Sequence, residues 1–424
     1  MKKGRILVWL SGWVDSAVAA ALLLEQGYEV VGGFMKNYVS ETGNCTTYND
    51  AEEAIKVAKH LGIELLPFDL QKEYQERIID YIFEGYQRGI TPNPDVLCNS
   101  LIKFDVFLQR ALELWFDKIA TGHYARITPL LKGGKERSDG GFEYHEEQGI
   151  SQRTSPTPPS EGGDQYALLR WIDHTKDQSY FLAGLNQFQL SKILFPLGEY
   201  RKSKVRDLAK KFWLPNAERK DSQGLCFIGN VPIRDFLLQR FEKKEGDIVY
   251  TPFHEGGGSA ATGDFQESTI QTQIPPSPLY ERGQQKGVVW THQWAYFYTI
   301  GQKHGLGLNF KAYVYRIDIE NNILYVTDKD SEQLKAKTLI AKDWHWIGGS
   351  TRVKNQQQHT NPPGGSAATG KIRYRQNPPV PCTLEEKADW IMQVTFETEQ
   401  RAVAPGQIFV AYDGEVCLWC GVIA

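Results

Sequence analysis

The sequence predicts an α/β protein: a parallel sheet with helices on both faces, followed by a small β-barrel. Three observations lead there. Residues 5 to 128 alternate strand-like apolar runs with helix-forming runs, the rhythm of a βαβ sheet. From Tyr296 onward the pattern changes to short apolar runs parted by turn residues such as Asn321-Asn322 and Asp413-Gly414, as in a barrel. At 424 residues the chain is also too long for one ordinary core.

The first half reads in order as follows. Ile6 to Leu10 is a buried strand and Ala17 to Glu25 a helix; Glu29 to Phe34 is the second strand. Asp50 to Leu61 carries Ala and Leu at helical spacing, and Glu64 to Phe68 follows as a strand. Lys72 to Gly85 and Ile102 to Leu114 are amphipathic helices, and Lys118 to Thr121 is a last short strand before Gly122-His123-Tyr124. In such a sheet ligands sit at the carboxyl ends of the strands. The barrel strands are expected at Tyr313 to Ile319, Ile323 to Val326, Thr338 to Ala341, Lys371 to Tyr374, Trp390 to Phe396 and Gln407 to Tyr412.

Three stretches break the pattern, at 132–164, 253–287 and 354–370. They are rich in Gly, Ser, Thr, Pro and Gln, and the string Gly-Gly-Ser-Ala-Ala-Thr-Gly occurs in two of them, at 257–263 and 364–370. They read as inserted sequence without chemistry of its own. Hydrophobic content of 41% and charged content of 23% are those of a soluble globular protein. No apolar run is long enough to span a membrane. The opening Met1-Lys-Lys-Gly-Arg5 leads into a strand rather than an export signal. Six cysteines in a chain this long do not make a disulfide scaffold, so a cytoplasmic, reduced setting is expected. The formal net charge of −3 neither demands nor excludes nucleic acid.

Chemistry is concentrated in a few segments. Ser11-Gly12-Trp13-Val14-Asp15-Ser16 lies between a strand and a helix start, where backbone N–H groups can hold a pyrophosphate. No Gly-Lys-Ser/Thr follows, so it is not a Walker loop, and an ordinary capped βα turn would look similar. Cys98 follows Pro92-Asn93-Pro94-Asp95, a turn that would fix a thiol at a pocket edge. Cys226 follows Asp221-Ser222, with Arg219 and Lys220 close by; cationic neighbours raise the thiolate fraction that a nucleophile or sulfur carrier needs. Small buried hydrophobes are the bland alternative. Cys45, Cys382, Cys417 and Cys420 are left with that reading; Cys417-Leu-Trp-Cys420 has CxxC spacing but no partner pair for zinc. Arg201, Lys202, Lys204, Arg206, Lys210 and Lys211 read as the solvated face of a helix. Lys371, Arg373 and Arg375 beside Tyr374, alternating along a strand, are the better RNA candidates.

With these residues in hand the chain resembles the bacterial tRNA-specific 2-thiouridylases, members of the PP-loop ATP pyrophosphatase superfamily. The resemblance rests on Met35-Lys-Asn37, Thr91-Pro-Asn-Pro-Asp-Val-Leu-Cys98-Asn, Ala120-Thr-Gly-His-Tyr124, Lys176-Asp-Gln-Ser-Tyr-Phe181 and Phe195-Pro-Leu-Gly198. It continues through Asp221-Ser-Gln-Gly-Leu-Cys-Phe-Ile228, Tyr298-Thr-Ile-Gly-Gln302, Lys371-Ile-Arg-Tyr-Arg375 and Pro405-Gly-Gln407. It implies a PP-loop catalytic domain over 1–228, a small central domain over 229–308 and a C-terminal β-barrel over 309–424.

The same resemblance implies ATP-dependent 2-thiolation of the wobble uridine of tRNA. ATP, with Mg2+, would sit on Trp9, Leu10, Ser11, Gly12, Trp13, Val14, Asp15 and Ser16, with Met35 and Gly122 around adenine and ribose; Asp15 would be catalytic. Asn93, Pro94 and Asp95 would approach the target base. His123, Lys176, Asp177, Gln178, Arg373, Tyr374 and Gln407 would contact tRNA. Cys226 would carry a persulfide delivered by a sulfur-relay protein or cysteine desulfurase, with Cys98 as partner nucleophile in a transient disulfide. The anticodon loop makes base extrusion cheap.

One departure weighs on this. The family's phosphate loop reads Ser-Gly-Gly-Val-Asp-Ser, and its second glycine is Trp13 here. An indole there would occupy nucleotide space. Trp115, Trp171, Trp213, Trp294 and Trp419, with Trp9 and Trp290, also stand where the family usually shows Gly, whereas Trp344 and Trp346 need no such account. UGA codons that the native host reads as glycine would explain the set. Taken literally, Trp13 instead suggests a catalytically impaired tRNA-binding homologue; another adenylating PP-loop enzyme of the ligase or amidotransferase sort is the remaining alternative.

Overall fold

The computed structural model describes residues 3–38, 47–130, 165–220, 232–251, 287–347, 368–388 and 390–424. Cys45, the segment 221–231 with Cys226, and almost all of the three insert-like stretches lie outside the described residues. The third stretch ends earlier than expected, because Ala368 begins a strand.

Strands β1 (Arg5–Trp9), β2 (Glu29–Lys36), β3 (Leu65–Asp69) and β4 (Lys118–Ala120) form the N-terminal sheet. The hairpin β5 (Arg126–Leu130) and β6 (Gln165–Leu169) leaves it, and the short β7 (Ile193–Leu194) rejoins it. The order is β3-β2-β1-β4-β7, every pair parallel. Leu7 and Val8 at the centre are fully buried, because helices cover both faces. The helix α1 (Val14–Glu25) packs its Ala- and Leu-rich face on one side; α2 (Thr47–Leu61) follows.

Two helices differ from the sequence expectation in an informative way. The run expected at 72–85 is continuous from Gln71 to Gln87, with a π-helical stretch at Gln75–Ile79. The helix expected at 102–114 starts at Pro94 and runs to Glu113, widened to π-helix over Cys98–Val106. Pro92-Asn93-Pro94 therefore opens a helix: the Asn93 side chain accepts from Val96 N and Pro94 takes the first helical position, where its missing N–H costs nothing. Cys98 lies inside that helix and is fully buried, not on a turn at a pocket edge.

The central unit is a four-stranded sheet of β8 (Gly246–Tyr250), β9 (Val288–His292), β10 (Tyr313–Asp318) and β11 (Ile323–Thr327), ordered β10-β11-β8-β9. The two strands expected to open the barrel thus belong here. The barrel begins instead with β12 (Lys335–Trp346) and continues with β13 (Ala368–Lys371), β14 (Val380–Ala388), β15 (Ile391–Arg401), β16 (Ile408–Asp413) and β17 (Val416–Ile423). Pairing of β12 with both β15 and β17 closes six strands, and β6 pairs with the start of β17. One buried cluster runs through all three units, from Leu7 and Phe107 by way of Phe236 and Val314 to Val410. No helix among the described residues is long and apolar enough to cross a membrane.

Candidate nucleotide and thiol site

Strand β1 feeds a loop whose backbone is tied from several sides. Ser16 Oγ accepts from Ser11 N at 3.2 Å, meets Ser11 Oγ at 3.1 Å and donates to Trp13 O at 3.0 Å. Gly12 has φ +78°, and a Cβ there would lie 2.3 Å from Asp50 O. Its carbonyl accepts from Asn216 Nδ2 at 3.0 Å and Arg219 Nη1 at 2.9 Å. Arg219 also pairs with Asp50 at 2.6 Å and lies over the Trp13 ring at 3.7 Å. The cation expected beside Cys226 is therefore committed to the phosphate loop. Nothing in the sequence pattern pointed to this contact.

Loop and sheet meet at Gly122, beyond the end of β4: a Cβ there would lie 2.7 Å from Asp15 C and Ser16 N. Only glycine lets the two segments pack this closely, and they flank the point where the chain crosses to opposite sides of β1, the usual ligand crevice of such a sheet. Asp15 accepts from Tyr124 OH at 2.6 Å, and Lys202 Nζ reaches both its oxygens at 2.7 and 2.8 Å. Lys202 is thus not on a solvated helix face; it neutralises the acid at the loop. Arg206 likewise turns inward, to the carbonyls of Ala217 and Arg219. If ATP occupies this loop as the resemblance implies, Lys202→Met would leave Asp15 uncompensated against its triphosphate, and the KM for ATP should rise on the order of tenfold. Steady-state AMP release at varied ATP measures it; an unchanged KM would show that the lysine only braces the fold.

The thiol side adjoins the nucleotide side through the helix that carries Cys98. Lys103, buried, lies 4.5 Å from the centre of the Trp9 ring, and Phe104 lies 5.7 Å from His123. His123 is 8% exposed and its Nδ1 lies 2.7 Å from Thr121 Oγ1. Burial, with the Lys103 charge behind it, holds its pKa well below the usual value. A neutral, inward ring could meet RNA by stacking or a hydrogen bond, not by charge. Met35 is buried at the end of β2.

The barrel reaches the same place. Asn93 Nδ2 donates to Gln407 Oε1 and to Tyr180 OH, each at 3.4 Å, while Gln407 Nε2 donates to Thr91 O at 2.9 Å. Pro94 and Asp95 are half-buried beside them. Tyr374 packs on Phe181 at 4.3 Å, and Arg373 is exposed, with one nitrogen on Arg401 O. Lys176 is exposed; Gln178 is half-buried and accepts from Tyr124 N at 2.8 Å.

Two expectations on the RNA side need correction. Strand β13 stops at Lys371, and residues 372–376 turn, so Lys371, Arg373 and Arg375 do not alternate along a strand. Lys371 is 1% exposed and lies 3.6 Å from Asp177, whose side chain is wholly buried and also accepts from Arg170 at 3.2 Å. Asp177 therefore faces a buried ion cluster and not the surface. The bland reading of three cysteines is supported: Cys382, Cys417 and Cys420 are buried, and burial pushes the Cys382 and Cys420 thiols up to about 12. Among the described residues no cluster of His, Cys, Asp and Glu could hold a metal ion.

Comparison with known proteins agrees with this architecture. Residues 4–230 match the family model described as tRNA methyl transferase HUP domain. Residues 268–328 match the tRNA methyl transferase PRC-barrel domain, and 336–423 the aminomethyltransferase beta-barrel domain. The tRNA-specific 2-thiouridylase MnmA of Ralstonia pickettii is 39% identical over 434 residues, covering 100% of this chain and 97% of that protein. The Bordetella pertussis protein of the same name is 38% identical over 437 residues, covering 100% and 98%.

Proposed function

Because the chain belongs to the tRNA-specific 2-thiouridylase family, we propose that it converts the wobble uridine of tRNA to 2-thiouridine, using ATP to activate the base and a cysteine persulfide to supply sulfur. The observation that carries this reading is that one helix serves both halves: Asn93 at its start meets Gln407 of the barrel, and Lys103 within it lies over Trp9 at the end of β1, beside the loop that packs on Gly122. An adenylating enzyme acting on a small molecule would have no use for a barrel clamped onto the Thr91-Pro92-Asn93 loop.

The chemistry follows from the poor leaving ability of the uracil O2. That oxygen attacks the α-phosphorus of ATP, and pyrophosphate leaves. Anion-binding N–H groups at the start of α1 hold the phosphates, and Mg2+ would arrive on their oxygens with its own waters. The Cys226 persulfide then supplies sulfur. In one order Cys98 thiolate attacks the inner sulfur of that persulfide, hydrosulfide departs, and a Cys98–Cys226 disulfide forms. The released sulfur adds to C2 and AMP leaves; a thiol reductant later restores both cysteines. In the other order the outer sulfur attacks C2 first and AMP leaves; Cys98 thiolate then attacks Cys226 Sγ, which frees the sulfur on C2 as 2-thiouridine and forms the same disulfide. Lys176 and Arg373, both exposed, and the half-buried Tyr374 would meet the tRNA, and a persulfide-donating protein would load Cys226.

ATP-dependent formation of 2-thiouridine on wobble-uridine tRNA, followed by nucleoside mass spectrometry, tests the proposal; no thiouridine in the presence of a persulfide donor would refute it. Trp13 sets a second expectation. The Trp13→Gly variant should bind ATP at least about tenfold more tightly than the chain with Trp13, since the indole stands at the helix N-terminus with Arg219 over it. Equal affinity by calorimetry would show that the ring does not obstruct the loop.

A further inference from the structure

Five helix ends among the described residues close with one hydrogen-bond pattern. The closing residue donates its N–H to the carbonyl three residues back, and the next residue donates to the carbonyl five back. Those closing residues are Gly27, Gly62, Gly89, Trp115 and Trp213. This is the Schellman ending, whose closing residue takes a left-handed backbone and is usually glycine. The φ values are 87°, 66°, 75°, 63° and 53° in the same order. Three glycines and two tryptophans thus fill equivalent slots. The two tryptophans are each 83% exposed, so no burial of the ring offsets the backbone strain.

Two further positions add to this. Ala388 pairs with Ile391, so Trp390 lies in the tight turn that joins β14 to β15, a kind of place that favours glycine. Trp390 has φ 64° and is 54% exposed. The corresponding β16–β17 loop, where Asp413 pairs with Val416, carries Gly414 at φ 53°. Trp294 has φ 98° and ψ 129°, a backbone essentially reserved for glycine, and its indole N–H is buried without a hydrogen-bond partner. Of the seven non-glycine residues with positive φ among those described, four are tryptophan. Asn322 and Asp343 are types that visit this region readily; an aromatic residue does so rarely.

We infer that positions 115, 213, 294 and 390 are glycine in the protein made by its own host, with UGA codons read there as glycine appearing here as tryptophan. Trp390, which no sequence motif singled out, joins the set on backbone geometry alone. The geometry also separates this group from Trp171 and Trp419, which are fully buried without left-handed backbone, and from Trp13, whose φ of −96° any residue adopts. At those positions the backbone makes no demand for glycine.

Replacing an exposed tryptophan by glycine ordinarily gains nothing, since glycine loosens the unfolded chain. Here Trp115→Gly, Trp213→Gly and Trp390→Gly should each raise the melting temperature of the full chain by about 2–4 °C. The matching alanine variants should raise it less or not at all, because alanine keeps the Cβ that the left-handed turn opposes. Glycine variants melting at or below the alanine variants would overturn the inference. The coding DNA is the second readout: UGA at codons 115, 213, 294 and 390, with glycine-mass tryptic peptides from the native host, is expected. UGG at these codons would refute it.

Discussion

Cys98→Ser and Cys226→Ser should each lower 2-thiouridine formation by on the order of 10³-fold or more, while one round of ATP-dependent pyrophosphate release persists. Serine preserves the shape of the side chain but can neither hold a persulfide nor attack one, and members of a covalent relay act as a unit whose single losses are each close to total. In the proposed reaction base activation uses the β1–α1 loop instead, so the early step should survive. A burst of pyrophosphate with tRNA and ATP, read beside nucleoside mass spectrometry, separates the two halves of the reaction. Thiolation at the parent rate in Cys226→Ser would remove that residue from the relay. Loss of the pyrophosphate burst in Cys98→Ser, with an unchanged melting temperature, would mean that Cys98 shapes the base pocket and does not exchange sulfur.

The burial of Cys98 sharpens this expectation. A thiol that is 0% exposed at the point where helix passes into π-helix cannot meet a macromolecular partner where it stands. The π-helical stretch runs for nine residues from Cys98 to Val106, a rare conformation inside a helix. The proposed sulfur transfer therefore requires this segment to open when the base arrives.

How far the sequence could be read depended on the reach of the interactions involved. The βα rhythm and the strand-rich second half are local periodicities, and both are present, although the strand expected over 371–374 ends at Lys371 and β14 and β17 were not anticipated. The start of the Cys98 helix was hidden because Pro92-Asn93-Pro94 signals a turn; only the cap from Asn93 to Val96 N, formed once the helix exists, shows Pro94 as a first-turn residue. Assignment of strands 313–318 and 323–327 failed differently. Short apolar runs reveal a strand but not its partner: these two pair with each other, and β11 pairs on with β8, rather than with β12. The roles of Lys202 and Arg219 were illegible, since each is decided by a contact nearly two hundred residues away: Lys202 with Asp15, Arg219 with Gly12 O. The sequence pattern placed Lys202 on a solvated helix face, the commoner fate of such cations, and Arg219 beside Cys226.

Asp177→Ala should lower stability by about 3–5 kcal/mol, the usual consequence of removing one partner from a buried ion cluster. The Asp177 carboxylate accepts from Arg170 Nε at 3.2 Å, Trp171 N and Ser179 N at 3.1 Å each, and Ser179 Oγ at 3.0 Å. Lys371 Nζ lies 3.6 Å away with its side chain 1% exposed. Burial lowers the Lys371 pKa, and Asp177 is the largest influence holding it up. Without the carboxylate, two cations would face Tyr412 and each other in a space closed to water. Because Arg170 and Asp177 lie beyond β6 while Lys371 ends β13, the loss should loosen the barrel from the catalytic sheet and, with it, Gln407 from Asn93. Asp177→Asn should fall between parent and alanine variant, since the amide keeps some hydrogen bonds but not the charge. Adding Lys371→Met to Asp177→Ala should return part of the stability, a coupling that a double-mutant cycle reads directly. A direct tRNA contact at Asp177 predicts the opposite: unaltered melting and a change in tRNA affinity alone. A carboxylate this deep, repelled by phosphate and committed to two cations, is a joint in the scaffold that presents the RNA-facing residues.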